Sequence, residues 1–215
     1  MKRNNPIVLA AIWAAAAAIG ASAAAQTSSS APPQRPAGIY LDSAGAGGTP
    51  VRLAGVITRD IEQKGLMKSM ATGGFAKSDV LARIPGETAS LRTSPEPVFY
   101  FYLGGPAAAP DPSSMDISAM MRAMQGDSFP STINDPAQFA LVRFAPKGGS
   151  REAVIGQAGR GSGGPKDKVA CSIEKVAANV YRIRPKEPLG AGEYAFTVAN
   201  QAMGGQFWDF GIDAK

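Results

Sequence analysis

Near the end of the chain, Leu189, Gly192 and Tyr194 stand at the spacing Leu-x-x-Gly-x-Tyr, inside a run from Tyr181 to Asp213 rich in strand-forming residues. A tyrosine so placed turns a corner between two packed sheets: its ring is buried while its hydroxyl caps a backbone group a few residues upstream. These three residues are structural, a folding device of Greek-key sandwiches, and carry no chemistry. The strands that follow, Glu193 to Ala199 and Gln206 to Ile212, are joined by 200–205, whose paired glycines permit a hairpin reversal.

The same pattern of short strand and turn extends backwards. Ala37 to Asp42 and Val51 to Thr58 read as an opening hairpin. Arg59 to Thr72 is ambiguous. Ile61, Leu66, Met67 and Met70 mark a short amphipathic helix, but Gly65 in its middle costs about 1 kcal/mol relative to alanine. Phe75 to Ile84 and Thr88 to Thr93 read as strands around the Pro85-Gly86 turn. Pro97 to Leu103 (PVFYFYL), uncharged and bounded by proline and glycines, belongs in the centre of a sheet, apolar on both faces. The alternative is an aromatic platform for stacking sugars or bases, which usually alternates with basic or polar residues. Phe139 to Ala145 and Arg151 to Gln157 form one further hairpin, and Lys168 to Lys175 with Asn179 to Arg184 another. The expected fold is therefore all-β, a single antiparallel β-sandwich of Ig-like or Greek-key type over residues 37–215. A short helix, Ser114 to Gln125, is expected in a flexible insertion at 104–136.

Lys2 and Arg3, the apolar run Pro6 to Ala25 and its Ala23-Ala24-Ala25 ending have the three regions of a cleaved secretory signal peptide, here 1–25. Residues 26–36, rich in Ser, Thr, Gln and Pro, read as a flexible leader. No other stretch approaches the roughly 20 apolar residues of a bilayer span, so no membrane span is expected in the mature chain. The expected location is the bacterial periplasm or the outside of the cell. The single cysteine, Cys171, cannot form an internal disulfide and reads as a buried small hydrophobe in a strand. Removing the signal lowers the basic count from 22 to 20 against 17 acids. The scattered cations give no nucleic-acid footprint.

No histidine occurs. That removes Ser-His-Asp and Cys-His catalysis and histidine zinc sites, and with one cysteine a Cys-rich metal site is excluded too. Asp209-Phe210-Gly211 spells a kinase metal triplet without its partner motifs. Gly159 to Gly164 imitates a phosphate loop without the flanking strand, helix and lysine. Neither carries a function. Met115, Met120, Met121 and Met124 lie close together in the insertion; they suit core packing or partner contact better than soft-metal binding, and no metal or other cofactor is expected.

Several separated segments resemble a group of uncharacterised exported bacterial β-rich proteins. They are Pro36 to Leu41, Ile84 to Ala89, the PVFYFY strand, Asp135 to Val142, Pro188 to Phe196 and Asp209 to Asp213. The resemblance spans most of the mature chain and implies one domain, but no activity. The leading expectation is a non-catalytic binding or interaction module whose partner is another envelope protein or polymer. Its candidate binding residues are Met115, Met120, Met121 and Met124 of the insertion and Arg160 of the glycine loop, since rigid sandwiches present recognition residues on loops. The competing readings are a histidine-free hydrolase of envelope polysaccharide, using two of Glu87, Glu96, Asp111, Asp116, Asp127, Asp135, Glu152, Glu174, Glu187, Glu193, Asp209 and Asp213, which spacing alone does not pair, and a carrier of a small ligand or metal.

Overall fold

The computed structural model describes residues 35–42, 49–58, 60–73, 76–104, 129–130, 133–158, 163–198 and 205–214. All of them fall within one unit, 31–215. The signal segment, the expected helix at 114–125 and the glycine loop at 159–162 lie outside the described residues.

In chain order the strands are β1 (Gly38–Leu41), β2 (Val51–Arg52), β3 (Gly55–Thr58), β4 (Ile61–Lys64), β5 (Ser78–Pro85), β6 (Arg92–Thr93) and β7 (Phe99–Tyr102). Then come β8 (Phe139–Lys147), β9 (Ser150–Ala158), β10 (Lys168–Val169), β11 (Cys171–Ala177), β12 (Val180–Pro185), β13 (Gly192–Val198) and β14 (Gly205–Ile212). One helix, α1 (Leu66–Ala71), and a 3-10 turn, Pro136–Gln138, interrupt them. The ambiguous stretch at 59–72 holds a strand that the sequence does not suggest and a short helix. Ile61 to Lys64 pairs with β5, Gly65 breaks the strand at φ +89°, and a short helix follows with Met67 and Met70 exposed. Among the described residues no helix is long and apolar enough to cross a membrane.

A five-stranded sheet runs β11-β12-β7-β1-β2 and a nine-stranded sheet runs β3-β14-β13-β8-β9-β5-β4, with β10 beside β8 and β6 beside β14. Every pairing is antiparallel except β6 with β14. The PVFYFY strand is central in its sheet, as its composition requires. The opening hairpin forms in its first part only, and the strands around Pro85-Gly86 do not pair with each other. Val51 to Thr58 splits at Leu53, so that β2 pairs with β1 while β3 crosses to β14 of the other sheet. Across Pro85-Gly86, β5 pairs with β4 and β9 instead of β6.

Alternation in the nine-stranded sheet buries both of its faces. One face, with Phe139, Leu141, Tyr194, Phe196, Trp208 and Phe210, packs against Ile39, Leu41, Phe99, Phe101 and Ile183 of the smaller sheet. Phe99 and Phe101 sit edge-on to Phe196 at 4.9 and 5.0 Å, the geometry the ring quadrupoles favour. Fully burying each such side chain contributes roughly 1.5–3 kcal/mol. The opposite face carries Ala140, Val142, Phe144, Ala195 and Phe207, and these meet Val80, Ala82, Ile84, Ala153 and Ile155 of β5 and β9. That contact requires the sheet to curl into a half-barrel with its own core. The curl is drawn shut where Thr58 Oγ1 donates to the Arg83 carbonyl at 2.6 Å, joining β3 to β5.

Candidate functional site

The corner residues lie where Leu189 and Tyr194 are both buried, and the Tyr194 hydroxyl donates to the Gly190 carbonyl at 2.9 Å. Gly192 opens β13 at φ +150°, a conformation L side chains rarely adopt, with the Arg143 guanidinium packed close above it. Arg143 in turn donates through Nη2 to the Ala191 carbonyl.

Immediately after the corner, Glu193 points into the end of the half-barrel, two residues before the core residue Ala195. There it meets Asp209 of β14 and Arg151 of β9 in a buried ionic network. Arg151, 3% exposed, places Nη1 2.6 Å from Asp209 Oδ2 and 3.6 Å from Glu193 Oε2. Its other nitrogens donate to the carbonyls of Pro85 and Gly86. Glu193 also accepts from the Ala89 amide at 2.7 Å and pairs with Arg92 at 2.5 Å, and Arg92 reaches on to Asp213. Glu193 raises the Arg92 guanidinium above its ordinary range more than burial lowers it.

Three of the segments singled out in the sequence, Ile84 to Ala89, Pro188 to Phe196 and Asp209 to Asp213, therefore converge on one cluster. The Asp-Phe-Gly triplet has a structural meaning: Asp209 binds Arg151, Phe210 fills the intersheet core, and Gly211 stands directly opposite Arg92. A methyl group at 211 would fall inside the Arg92 guanidinium. The network clamps the 85–92 segment over the half-barrel end. Its acids meet through arginines, so they do not form the open carboxylate pair that glycoside hydrolysis needs.

A second cluster lies on the outer side of the half-barrel, where Glu152 receives Arg83 at 2.9 Å, Lys147 at 3.0 Å and Lys64 at 3.4 Å. Burial pushes its carboxyl up, but the bonds from Lys147 and Arg83 outweigh burial and hold it at about 2. Asp79 is likewise lowered, chiefly by its bond from Lys166 and then by Gln157. Among the described residues no group of three or more His, Cys, Asp or Glu is placed to hold a metal ion.

The expectation that the PVFYFY strand is apolar on both faces holds on the core side and, on the other side, for Tyr102, buried in a small cluster with Tyr40 and Val180, while Tyr100 is half-buried in a row with arginines. Phe99 and Phe101 face the core, whereas Tyr100 and Tyr102 face outward beside Tyr40, with Arg52 and Arg182 in the same cross-strand row as Tyr40 and Tyr100. Arg35 covers the Tyr40 ring at 5.4 Å, and Tyr40 and Tyr102 pack edge to face. Both of these rings are buried, so the chain's own residues occupy the platform.

The intersheet core, by contrast, is left open at one margin. After Val169 the chain leaves β8 and crosses through Ala170 to the smaller sheet, where it continues as β11. An apolar slot of about 150 Å³ remains there. Phe101 and Ile183 floor it, Phe139, Leu141 and Phe196 form the opposite wall, and Cys171, Ile173 and Ala137 stand towards its rim with Lys168. Burial pushes the Cys171 thiol up to about 11, so it stays neutral, and its Sγ lies 3.7 Å from the Val169 carbonyl. It serves as a small apolar wall. Its size is one reason the slot is unfilled. Composition points to Cys171 as buried; the slot beside it depends on the sheet crossover at Ala170, which no spacing signals.

Met115, Met120, Met121, Met124 and Arg160, the loop residues expected to bind, lie outside the described residues. No family model matches the chain, and no curated protein or solved structure matches it.

Proposed function

We propose that this chain is an exported, non-catalytic binding module of the bacterial envelope, built on a single Greek-key sandwich whose larger sheet curls on itself. A signal-peptide-like N-terminus supports export. The observation that carries the binding reading is the apolar slot between the sheets, opening beside an edge strand that is uncovered among the described residues, with a lysine at its rim. Binding sites are commonly concave and apolar with a few placed polar groups, and this margin has that make-up. The partner is another envelope protein or polymer.

The test is mild crosslinking of the full chain in envelope preparations, followed by purification and comparison with a Cys171→Leu variant whose slot is filled. A partner retained by the parent chain and lost by the variant is the expected result. Retention of nothing by the parent chain would overturn the reading.

A further inference from the structure

β11 is the last strand of its sheet, and among the described residues only β12 pairs with it. Ser172 to Lys175 are all exposed, and among the described residues nothing covers its outer edge. Ile173 lies opposite Ile183 on the core-facing side of the sheet, yet it is 47% exposed where Ile183 is 3% exposed. The difference arises because Ile173 overhangs the mouth of the slot. An open edge of this kind is a template for a further strand: backbone bonds supply affinity, and pockets for alternate side chains supply selectivity.

Resting on the binding-module reading above, we propose that β11 accepts an extended segment of a partner polypeptide as the next strand of the five-stranded sheet. One large apolar side chain of that segment enters the slot, and a neighbouring carboxylate meets Lys168. A strand added to β11 would lie about 4.8 Å beyond it, with alternate side chains directed into the space between the sheets. That space is where Cys171 and Ile173 leave the slot open. A cavity of this size accepts a benzene-sized group in another protein, so one Phe- or Leu-like side chain suits it. The charge is also complementary. Neither Lys168 nor Lys175 has a carboxylate partner among the described residues, whereas the one acid on β11, Glu174, is held by Arg182.

The experiment is selection of displayed random heptapeptides on the full chain, with the Cys171→Leu chain as counter-selection bait. Enriched peptides are expected to share one large apolar residue with an acid within two positions of it. A fluorescent copy of the strongest should bind Cys171→Leu and Cys171→Trp about tenfold more weakly, and Lys168→Glu about threefold more weakly. Hydrogen exchange should show new protection of β11 amides, with β8 and β13 unchanged as the control for folding.

No enrichment over the filled-slot bait, equal binding by the filled variants, or basic peptides would each overturn the proposal. So would uptake of toluene or benzoate by the slot without peptide binding, which would mark a small-ligand site. Envelope crosslinking that retains a partner while no peptide is selected would end this inference and leave the binding-module reading intact. Selected peptides without an envelope partner would keep this inference and the binding role and overturn only the envelope partner.

Discussion

On one side of β8 and β13 lie Phe139, Leu141, Tyr194 and Phe196; on the other lie Ala140, Val142, Glu193 and Ala195. The first set faces a separate sheet. Facing sheets stand about 10 Å apart, a gap that long aromatic side chains must span from both sides. The second set faces the inside of its own curl, where the space is narrow and alanine and valine fit. The two cores also end differently. The intersheet core opens into an apolar slot, whereas the half-barrel core is stoppered by Arg151, Glu193 and Asp209. One sheet thus carries a margin that opens into a slot and a margin closed by ions.

The largest expected effect breaks the closed margin. Arg151→Met leaves Asp209 without its arginine in a largely buried site while Glu193 keeps Arg92, and removal of one partner from such a network costs about 3–5 kcal/mol. Denaturant unfolding should show that loss, and Arg151→Met combined with Asp209→Asn, which leaves the Glu193–Arg92 pair in place, should recover much of it. Recovery by the combined variant would assign the loss to uncompensated charge; failure to recover would assign it to the guanidinium bonds to Pro85 and Gly86.

An intermediate effect concerns the outside of the half-barrel. Glu152 titrates at about 2 when folded against an ordinary 4.5, so its stabilisation is complete above pH 4.5 and is lost as pH falls from there towards 2. With exposed lysines among its partners, solvent screening leaves roughly 1–2 kcal/mol of it. The stability difference between the parent and Glu152→Gln should shrink across that window and disappear near pH 2. A constant difference would place the effect in packing instead of charge.

The smallest effect sharpens the contrast from within. Thr197 shares its face with Ala195, is 1% exposed, and its hydroxyl has no hydrogen-bond partner among the described residues. Thr197→Val should raise stability by up to about 1 kcal/mol in thermal or chemical unfolding. A loss of stability would mean that this hydroxyl is satisfied by ordered water.

Much of the strand content was legible because period-two alternation and Gly-containing turns are local signals. The hairpin of β8 and β9 turns at Gly148 and Gly149, both at positive φ, and that of β11 and β12 turns at Asn179, also at positive φ. What could not be read was which sheet each strand joins. Val51 to Thr58 looks like one strand, and only the bend at Leu53 divides it between two sheets. The ionic network was equally hidden. Arg92, Arg151, Glu193 and Asp209 are scattered over more than a hundred positions and look like ordinary surface charges until β6, β9, β13 and β14 bring them to one end of the half-barrel.

The pairing of β3 with β14 also fixes an order of events. Val56 lies opposite Phe207 in the β3–β14 ladder, so the half-barrel cannot complete its hydrogen bonding until the last strand has arrived. Contacts of such long sequence separation form late and slowly. For the export proposed above, a nascent chain would stay open while it is threaded through a membrane and would lock only on release, and a truncation that removes β14 would leave both cores unsealed at once.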